Sequence, residues 1–233
     1  MKGEQLGLAV ALADPQDFEH FHPGPNGDAI HTLRALLEPE AHSTLLLHGP
    51  AGTGKSHLVQ ALMKDAAQAS VQTTLIDGTE LAAKLAAPMR KLESTPLLCI
   101  DGLDNMPLDD ATGLALIRLL DARRNRSVGT LVTAHKPAAQ LTLPRADLAT
   151  RLSAFTAFGL KPLSDEQRIE LLRLRASTRG LHLGIELAHY LLRHLARDIP
   201  SLLSAIDTLD RASLAAQRRL TQPFVQSTLG FGS

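Results

Sequence analysis

The stretch Leu45 to Ser56, reading Leu-Leu-Leu-His-Gly-Pro-Ala-Gly-Thr-Gly-Lys-Ser, constrains this chain more than any other. An apolar run from Thr44 to His48, suited to a buried strand, flows into Gly49, four spacer residues and then Gly54-Lys55-Ser56, after which apolar residues recur at helical spacing. The order is strand, phosphate loop, helix start. An anionic phosphate tail has to be held by backbone N–H groups, because bulky side chains would keep the main chain at a distance. Gly49, Gly52 and Gly54 let the loop curl with its amides inward. The opening helix adds its positive end, Lys55 can reach the outer phosphates, and the Ser56 hydroxyl is placed to ligate Mg²⁺. The expected nucleotide-binding set is therefore Gly49, Pro50, Ala51, Gly52, Thr53, Gly54, Lys55, Ser56 and His57, with ADP or ATP plus Mg²⁺ as ligand.

The remaining pattern says what surrounds that loop. Thr73 to Ile76, Leu97 to Asp101, Thr130 to Ala134 and Phe155 to Leu160 read as further strands, and the near-unbroken apolar run Leu97-Leu98-Cys99-Ile100 suits a parallel strand covered on both faces. Helical segments lie between them: Asp28 to about Leu37, the segment after Ser56, a short helix capped by Thr79 and ending near Ala86, and Ala111 to Asn125. Strand and helix alternate, which predicts a doubly wound α/β domain with a five-stranded parallel sheet. From Pro162 onward only helices are expected. Ser164-Asp165-Glu166-Gln167 is a capping-box signature ahead of a helix carrying Ile169, Leu172 and Leu174 to Gly180. A second helix spans about Ile185 to Ala196. A third starts at Pro200 and runs to about Leu220 with Leu202, Leu203, Ile206, Leu209 and Leu214 inward. The boundaries this gives are a tail over 1–13, a nucleotide-binding domain over 14–161 and a small helical lid over 162–233. Ahead of the loop, Phe18, Phe21 and the turn Gly24-Pro25-Asn26-Gly27 form an entry segment able to fold over a nucleotide base.

Composition narrows the function. The formal net charge is zero, so no overall basic excess favours nucleic acid through counterion release. The single cysteine, Cys99, lies in an apolar run and reads as a core residue, leaving no disulfide framework or zinc site and fitting a reducing cytoplasm. No apolar run is long enough for a membrane span, and the apolar stretch Leu6 to Ala13 lacks the features of a secretory signal.

Asp101 ends the third strand at the carboxyl edge of the sheet, where ligands bind in such folds, and is assigned to Mg²⁺, directly or through water. ATPases of this architecture often place a second carboxylate on the next residue to orient the attacking water. Here that residue is Gly102, and Asp104 falls two positions further on. Binding machinery is present while hydrolytic machinery is incomplete, so intrinsic ATPase is expected to be weak or absent. Arg151, between the fourth and fifth strands, is placed to reach a neighbouring subunit's γ-phosphate as an arginine finger, with a surface salt-bridge role as the rival. The tail carries Gln5-Leu6-Gly7-Leu8, a spacing that an apolar pocket with amide partners can capture as a short linear motif. His48, His57 and His135 share no metal-ligand spacing and read as ordinary polar residues.

The phosphate loop, Ile100-Asp101, the Arg151 segment and the helical lid together resemble the AAA+ ATPases of the DnaA initiator branch. The segment Lys161-Pro-Leu-Ser-Asp-Glu and the run from Asp207 to Val225 resemble the Hda family, regulatory inactivators of DnaA, and the resemblance covers nearly the whole chain. It implies that Gln5, Leu6 and Leu8 dock on the DNA polymerase sliding clamp and that Arg151 acts on ATP held by DnaA. Family members lack DnaA's helix-turn-helix domain, and this chain likewise runs only a short way past Thr221, so sequence-specific DNA binding is not expected. The implied role is negative regulation of replication initiation in the cytoplasm, near nucleoid and replisome, with both monomer and homodimer open. An autonomous AAA+ ATPase such as a helicase loader is the alternative. The chain departs from the family pattern in having His135-Lys136 after the fourth strand, where relatives keep Asp-Arg, and Pro200 at the position resembling the lid sensor arginine, with Arg197 nearby.

Overall fold

The computed structural model describes residues 16–38, 43–105 and 107–231. Its elements in chain order are α1 (Gly27–Arg34), β1 (Thr44–His48), α2 (Lys55–Gln68), β2 (Thr73–Asp77), α3 (Leu81–Ala86), α4 (Arg90–Ser94), β3 (Leu97–Asp101), α5 (Asp110–Asn125), β4 (Gly129–Ala134), α6 (Ala146–Ser153), β5 (Thr156–Gly159), α7 (Asp165–Thr178), α8 (Ile185–His194), α9 (Ile199–Ala216) and α10 (Gln222–Leu229). The strands form one parallel sheet in the order β2-β3-β4-β1-β5. The expected five-stranded parallel sheet followed by a helical lid is what the chain adopts.

Strand periodicity divides the sheet's side chains between two cores. Leu45, Leu47, Leu97, Cys99 and Leu131 pack with Leu58, Leu62 and Leu33 from α2 and α1. Leu46, Leu98, Ile100 and Val132 face the other way, onto Leu81, Leu116, Leu120 and Leu148 from α3, α5 and α6. Helices on both faces explain why these strands read as unbroken apolar runs. Cys99 is fully buried and its thiol is pushed up to about 12 by desolvation, as befits a core residue. A third cluster, with Leu172, Leu191, Leu202, Ile206 and Val225, holds the lid helices together. Among the described residues no helix is long and apolar enough to cross a membrane.

Several boundaries differ from expectation for local reasons. The short helix after β2 is capped by Asp77, whose carboxylate accepts from Thr79 N at 2.8 Å, so Thr79 is the capped residue and not the cap. The third lid helix ends at Ala216, where Gln217 takes a left-handed φ of 51°. Leu214 is consequently on an outer surface, 80% exposed, and Leu174 on α7 also faces outward. A fourth lid helix, α10, follows from Gln222, and its Val225 closes the lid core.

Arg123 of α5 is completely buried without a carboxylate partner in its hydrogen-bond set. Its guanidinium donates to Thr130 Oγ1 at 2.9 Å, to Thr95 O at 3.0 Å, and to the carbonyls of Leu92 and Gly129. Desolvation pulls its pKa down to about 10, still far above neutrality, so the charge remains. One side chain thus ties α5, α4 and the entry to β4 together. Arg123→Ala strands those acceptors and is expected to lower unfolding stability by about 3 kcal/mol, read from the urea midpoint of the full chain.

Candidate functional site

Because all five strands run the same way, their carboxyl ends share one edge, and loops leaving that edge converge. A cavity of about 550 Å³ opens there, between the loop after β1, the ends of β3 and β4, the entry segment and the lid. Ala51, Gly52, Thr53, Gly54, Lys55, Ser56 and His57 line it, as does Asp101. Gly49 and Pro50 lie just outside the lining and act through their carbonyls. Lys55 Nζ donates to Gly49 O at 2.7 Å and Pro50 O at 3.0 Å. Burial holds its ammonium below the usual lysine range, with the carboxylates of Asp104 and Asp101 acting the other way. A desolvated cation at a cavity wall, below a loop whose backbone curls at Gly52 and Gly54, suits an anionic phosphate chain.

Gly54 shows why the motif needs glycine. Its φ is 93°, and an added Cβ would stand 2.6 Å from Phe21 Cε2. Phe21 in turn lies 5.6 Å from the His57 ring. The entry segment is therefore packed directly on the loop, and Gln16, His20, Phe21, His22 and Asn26 form one wall of the cavity. Phe18 does not reach the cavity; it packs in the core beneath, with the Arg34 guanidinium 4.9 Å from its ring centroid. Two contacts fasten this segment to α2: His57 Nε2 lies 2.8 Å from Asp17 O, and Lys64 Nζ donates to Asp17 Oδ2 at 2.8 Å. Within the segment, His20 N donates to Asp17 Oδ1 at 2.9 Å. Burial alone would raise the Asp17 carboxyl, but the hydrogen bonds from Lys64 and His20 outweigh it and leave the group well below the usual range. Asn26 joins the segment to the start of the lid, donating to Lys161 O at 2.9 Å and accepting from Lys161 N at 2.8 Å.

Asp101 is held by Thr133 of β4, whose hydroxyl donates to Asp101 Oδ1 at 2.6 Å and accepts from Gly102 N at 2.7 Å. The carboxylate is thereby oriented into the cavity with one oxygen already engaged. Gly102 has φ 78°, and a Cβ there would run into the Asn105 side chain. The position after Asp101 is thus in a backbone conformation that favours glycine, with its side-chain space occupied. Asp104 does not substitute. Its carboxylate accepts from His135 N at 3.0 Å and sits 3.0 Å from His135 Nδ1, so it serves to hold His135 at the cavity wall. His48 lies outside the lining, and burial, reinforced by Lys55, lowers its pKa.

Arg151 is on α6 and does not line the cavity. Its guanidinium meets Asp121 of α5 in a two-pronged contact, Nε to Oδ1 at 2.7 Å and Nη2 to Oδ2 at 2.8 Å, which raises its pKa. Arg197 also points elsewhere, donating to Asp165 at 3.0 Å from an exposed position. Gln5, Leu6 and Leu8 lie outside the described residues. Asn26, from the turn expected to fold over the nucleotide, lines the cavity, whereas sequence inspection did not single out Asn105, Thr133 or Arg175, which line it too. Arg175 had a signal: it falls three positions after Leu172 and four after Leu171, on the apolar stripe of its helix.

A nucleotide-sized cavity at the strand carboxyl edge, a phosphate loop and a helical lid beside it define a AAA+ protein of the DnaA type. Residues 8–152 match the family model described as IstB-like ATP binding protein. Residues 165–229 match the model described as Hda, lid domain. The chain belongs to the IstB-like ATP-binding proteins, and its lid makes it an Hda-like, DnaA-related AAA+ protein. Domain III of the replication initiation protein DnaA from Thermotoga maritima superposes with a TM-score of 0.81 at 18% identity, covering 94% of this chain and 97% of that one. A replication initiator DnaA bound to AMPPCP and single-stranded DNA gives 0.75 at 16% identity, covering 89% and 69%. The Thermotoga maritima RuvB Holliday junction branch migration motor gives 0.65 at 19% identity, covering 88% and 69%. At such identities the likeness is one of fold.

Gly102→Glu tests whether a second carboxylate can simply be restored. The strained φ and the Asn105 contact predict a loss of about 1–2 kcal/mol in stability and no gain in ATP hydrolysis by the purified chain, read by thermal denaturation and phosphate release.

Proposed function

We propose that this chain is a regulator of replication initiation that holds ADP or ATP as a structural ligand and lends an arginine to hydrolysis of ATP bound by DnaA. One observation supports it: the loop from Ala51 to His57 and Asp101 line one cavity, whereas the position after Asp101 is a glycine at φ 78°, a backbone conformation that side chains rarely adopt. In this view the amides from Ala51 to His57 and the ammonium of Lys55 bind the phosphates. Ser56 and Asp101 hold Mg²⁺, which when bound neutralises phosphate charge and orders the outer oxygens. Thr133 keeps Asp101 aimed. The entry segment and lid exclude water from the remaining walls, and intrinsic hydrolysis is weak or absent.

Arg151 fits a role in trans because it stands away from this chain's own cavity, on a helix at the surface. Its partner Asp121 keeps the guanidinium extended and in place until a phosphate outcompetes it. An ion pair this open to solvent is cheaply exchanged for another anion. Delivered to the γ-phosphate on DnaA, such a cation stabilises charge in the transition state, an effect of roughly 10³ to 10⁵-fold in comparable systems. The tail supplies location: Gln5, Leu6 and Leu8 dock on the DNA polymerase sliding clamp, and tethering raises the finger's effective concentration near DnaA. Conversion of DnaA to its ADP form would then follow clamp loading, in the cytoplasm beside the replisome. Self-association of this chain is compatible with the same surface.

Two measurements test this. Arg151→Ala should bind ADP as the parent does yet lose stimulation of ATP hydrolysis by purified DnaA, by about 10³-fold or to background. Unchanged stimulation would refute the finger. Replacing Gln5 and Leu6 with alanine should abolish retention on immobilised clamp. Brisk Mg²⁺-dependent turnover by the isolated chain would instead favour a self-sufficient ATPase such as a helicase loader.

A further inference from the structure

Gly102 puts no side chain after Asp101, yet the space beside it is not empty. The chain turns back at once, with Asn105 N donating to Gly102 O at 3.0 Å. That turn lays the Asn105 side chain against Gly102: a Cβ at this position would collide with Asn105 Nδ2 and stand 2.7 Å from its Oδ1. The Asn105 amide therefore overlaps the volume that a side chain on residue 102 would take. Asn105 also lines the cavity, on the rim that carries Asp101 and Thr133.

The polar groups around it are already engaged. Thr133 bonds Asp101 and the Gly102 amide, and Asp104 is committed to His135. Among the described residues no protein group hydrogen-bonds the Asn105 side-chain amide. An amide offers two N–H donors and a carbonyl acceptor but takes up no proton near neutral pH. In phosphoryl-transfer sites a residue beside the nucleophile either orients the attacking water or also accepts its proton. A carboxylate can do both, an amide only the first.

We propose that Asn105 is the water-positioning residue of this site, reaching back from three positions further on into the place left by Gly102, and that its inability to accept a proton keeps a bound triphosphate intact. Hydrolysis joins the water oxygen to the terminal phosphorus, breaks the bond from that phosphorus to the bridging oxygen of ADP, and releases the water's proton. Asn105 holds the oxygen and provides no base for the proton. The inference deepens the nucleotide-holding role proposed above and rests on it: slow turnover follows from one side chain and not from a site unable to place water.

Steady-state phosphate release by the full chain with Mg²⁺ and ATP provides the test. Asn105→Asp is nearly isosteric and adds a base, so kcat should rise about 10²-fold or more over the parent while KM stays within about threefold. Asn105→Glu places the carboxylate one methylene further out, and because Asn105 is exposed the fold accommodates both. Asn105→Leu fills similar space without a polar group and should stay at or below the parent rate. Lys55→Ala added to Asn105→Asp should abolish the gain, which locates the turnover in this cavity. Absence of acceleration in both carboxylate variants would overturn the assignment. So would equal acceleration by Asn105→Leu, or a gain that survives Lys55→Ala. Failure of the underlying reading looks different: the parent chain then binds no ADP, or turns over ATP briskly before any substitution is made.

Discussion

A desolvated ammonium organises this molecule. Lys55 lies at the first turn of α2, largely withdrawn from water, with backbone carbonyls of Gly49 and Pro50 as its hydrogen-bond acceptors. Those carbonyls belong to the loop that must curl for α2 to begin where it does, so the charge and the loop stabilise one another's geometry. The sheet supports both. β1 lies between β4 and β5, fixing the loop's origin on two sides, and the carboxyl ends of β3 and β4 bring Asp101 and Thr133 to the same rim. Buried charge is costly unless something answers it. Much of the surrounding architecture can be understood as supplying that answer in the form of oriented dipoles and a cavity suited to an anion.

The same rim shows an asymmetry between holding and cutting. Every group expected to grip phosphate occupies the cavity or touches it through Lys55. The position just after β3 is Gly102, in a left-handed conformation, its amide given to Thr133 and its would-be side-chain space overlapping the Asn105 side chain. Asp104, the nearest acid after Asp101, is committed to His135. The missing carboxylate is therefore built into the loop's backbone path. Meanwhile Arg151 is displayed on α6 against Asp121, away from the chain's own cavity.

The entry segment and the lid turn a phosphate loop into an enclosed site. Asp17 and His57 fasten the segment to α2, Phe21 closes over Gly54, and Asn26 bonds both backbone groups of Lys161 at the threshold of the lid. Two walls of the cavity are thus covalently remote from the loop yet mechanically joined to it.

The strands, the parallel sheet and the phosphate loop were legible in the sequence because each is dictated locally. Apolar runs such as Leu97 to Ile100 specify burial on both faces, and glycine, lysine and serine at fixed spacing specify a phosphate cradle. Helix ends were less legible. Nothing marks Gln217 as a stop, since glutamine is not a residue that favours the left-handed conformation it adopts there, and so Leu214 counted wrongly as core. Which polar residues face the cavity was decided by the tertiary structure alone. Thr133, Asn26 and Arg175 come from β4, the entry segment and the lid, and their convergence depends on strand order and lid packing. The sequence determined that an anion is held at the end of β1, because the groups that hold it are neighbours in the chain. What else surrounds that anion was settled by folding, because those groups lie far apart along the chain and become neighbours only once the sheet is ordered and the lid is docked.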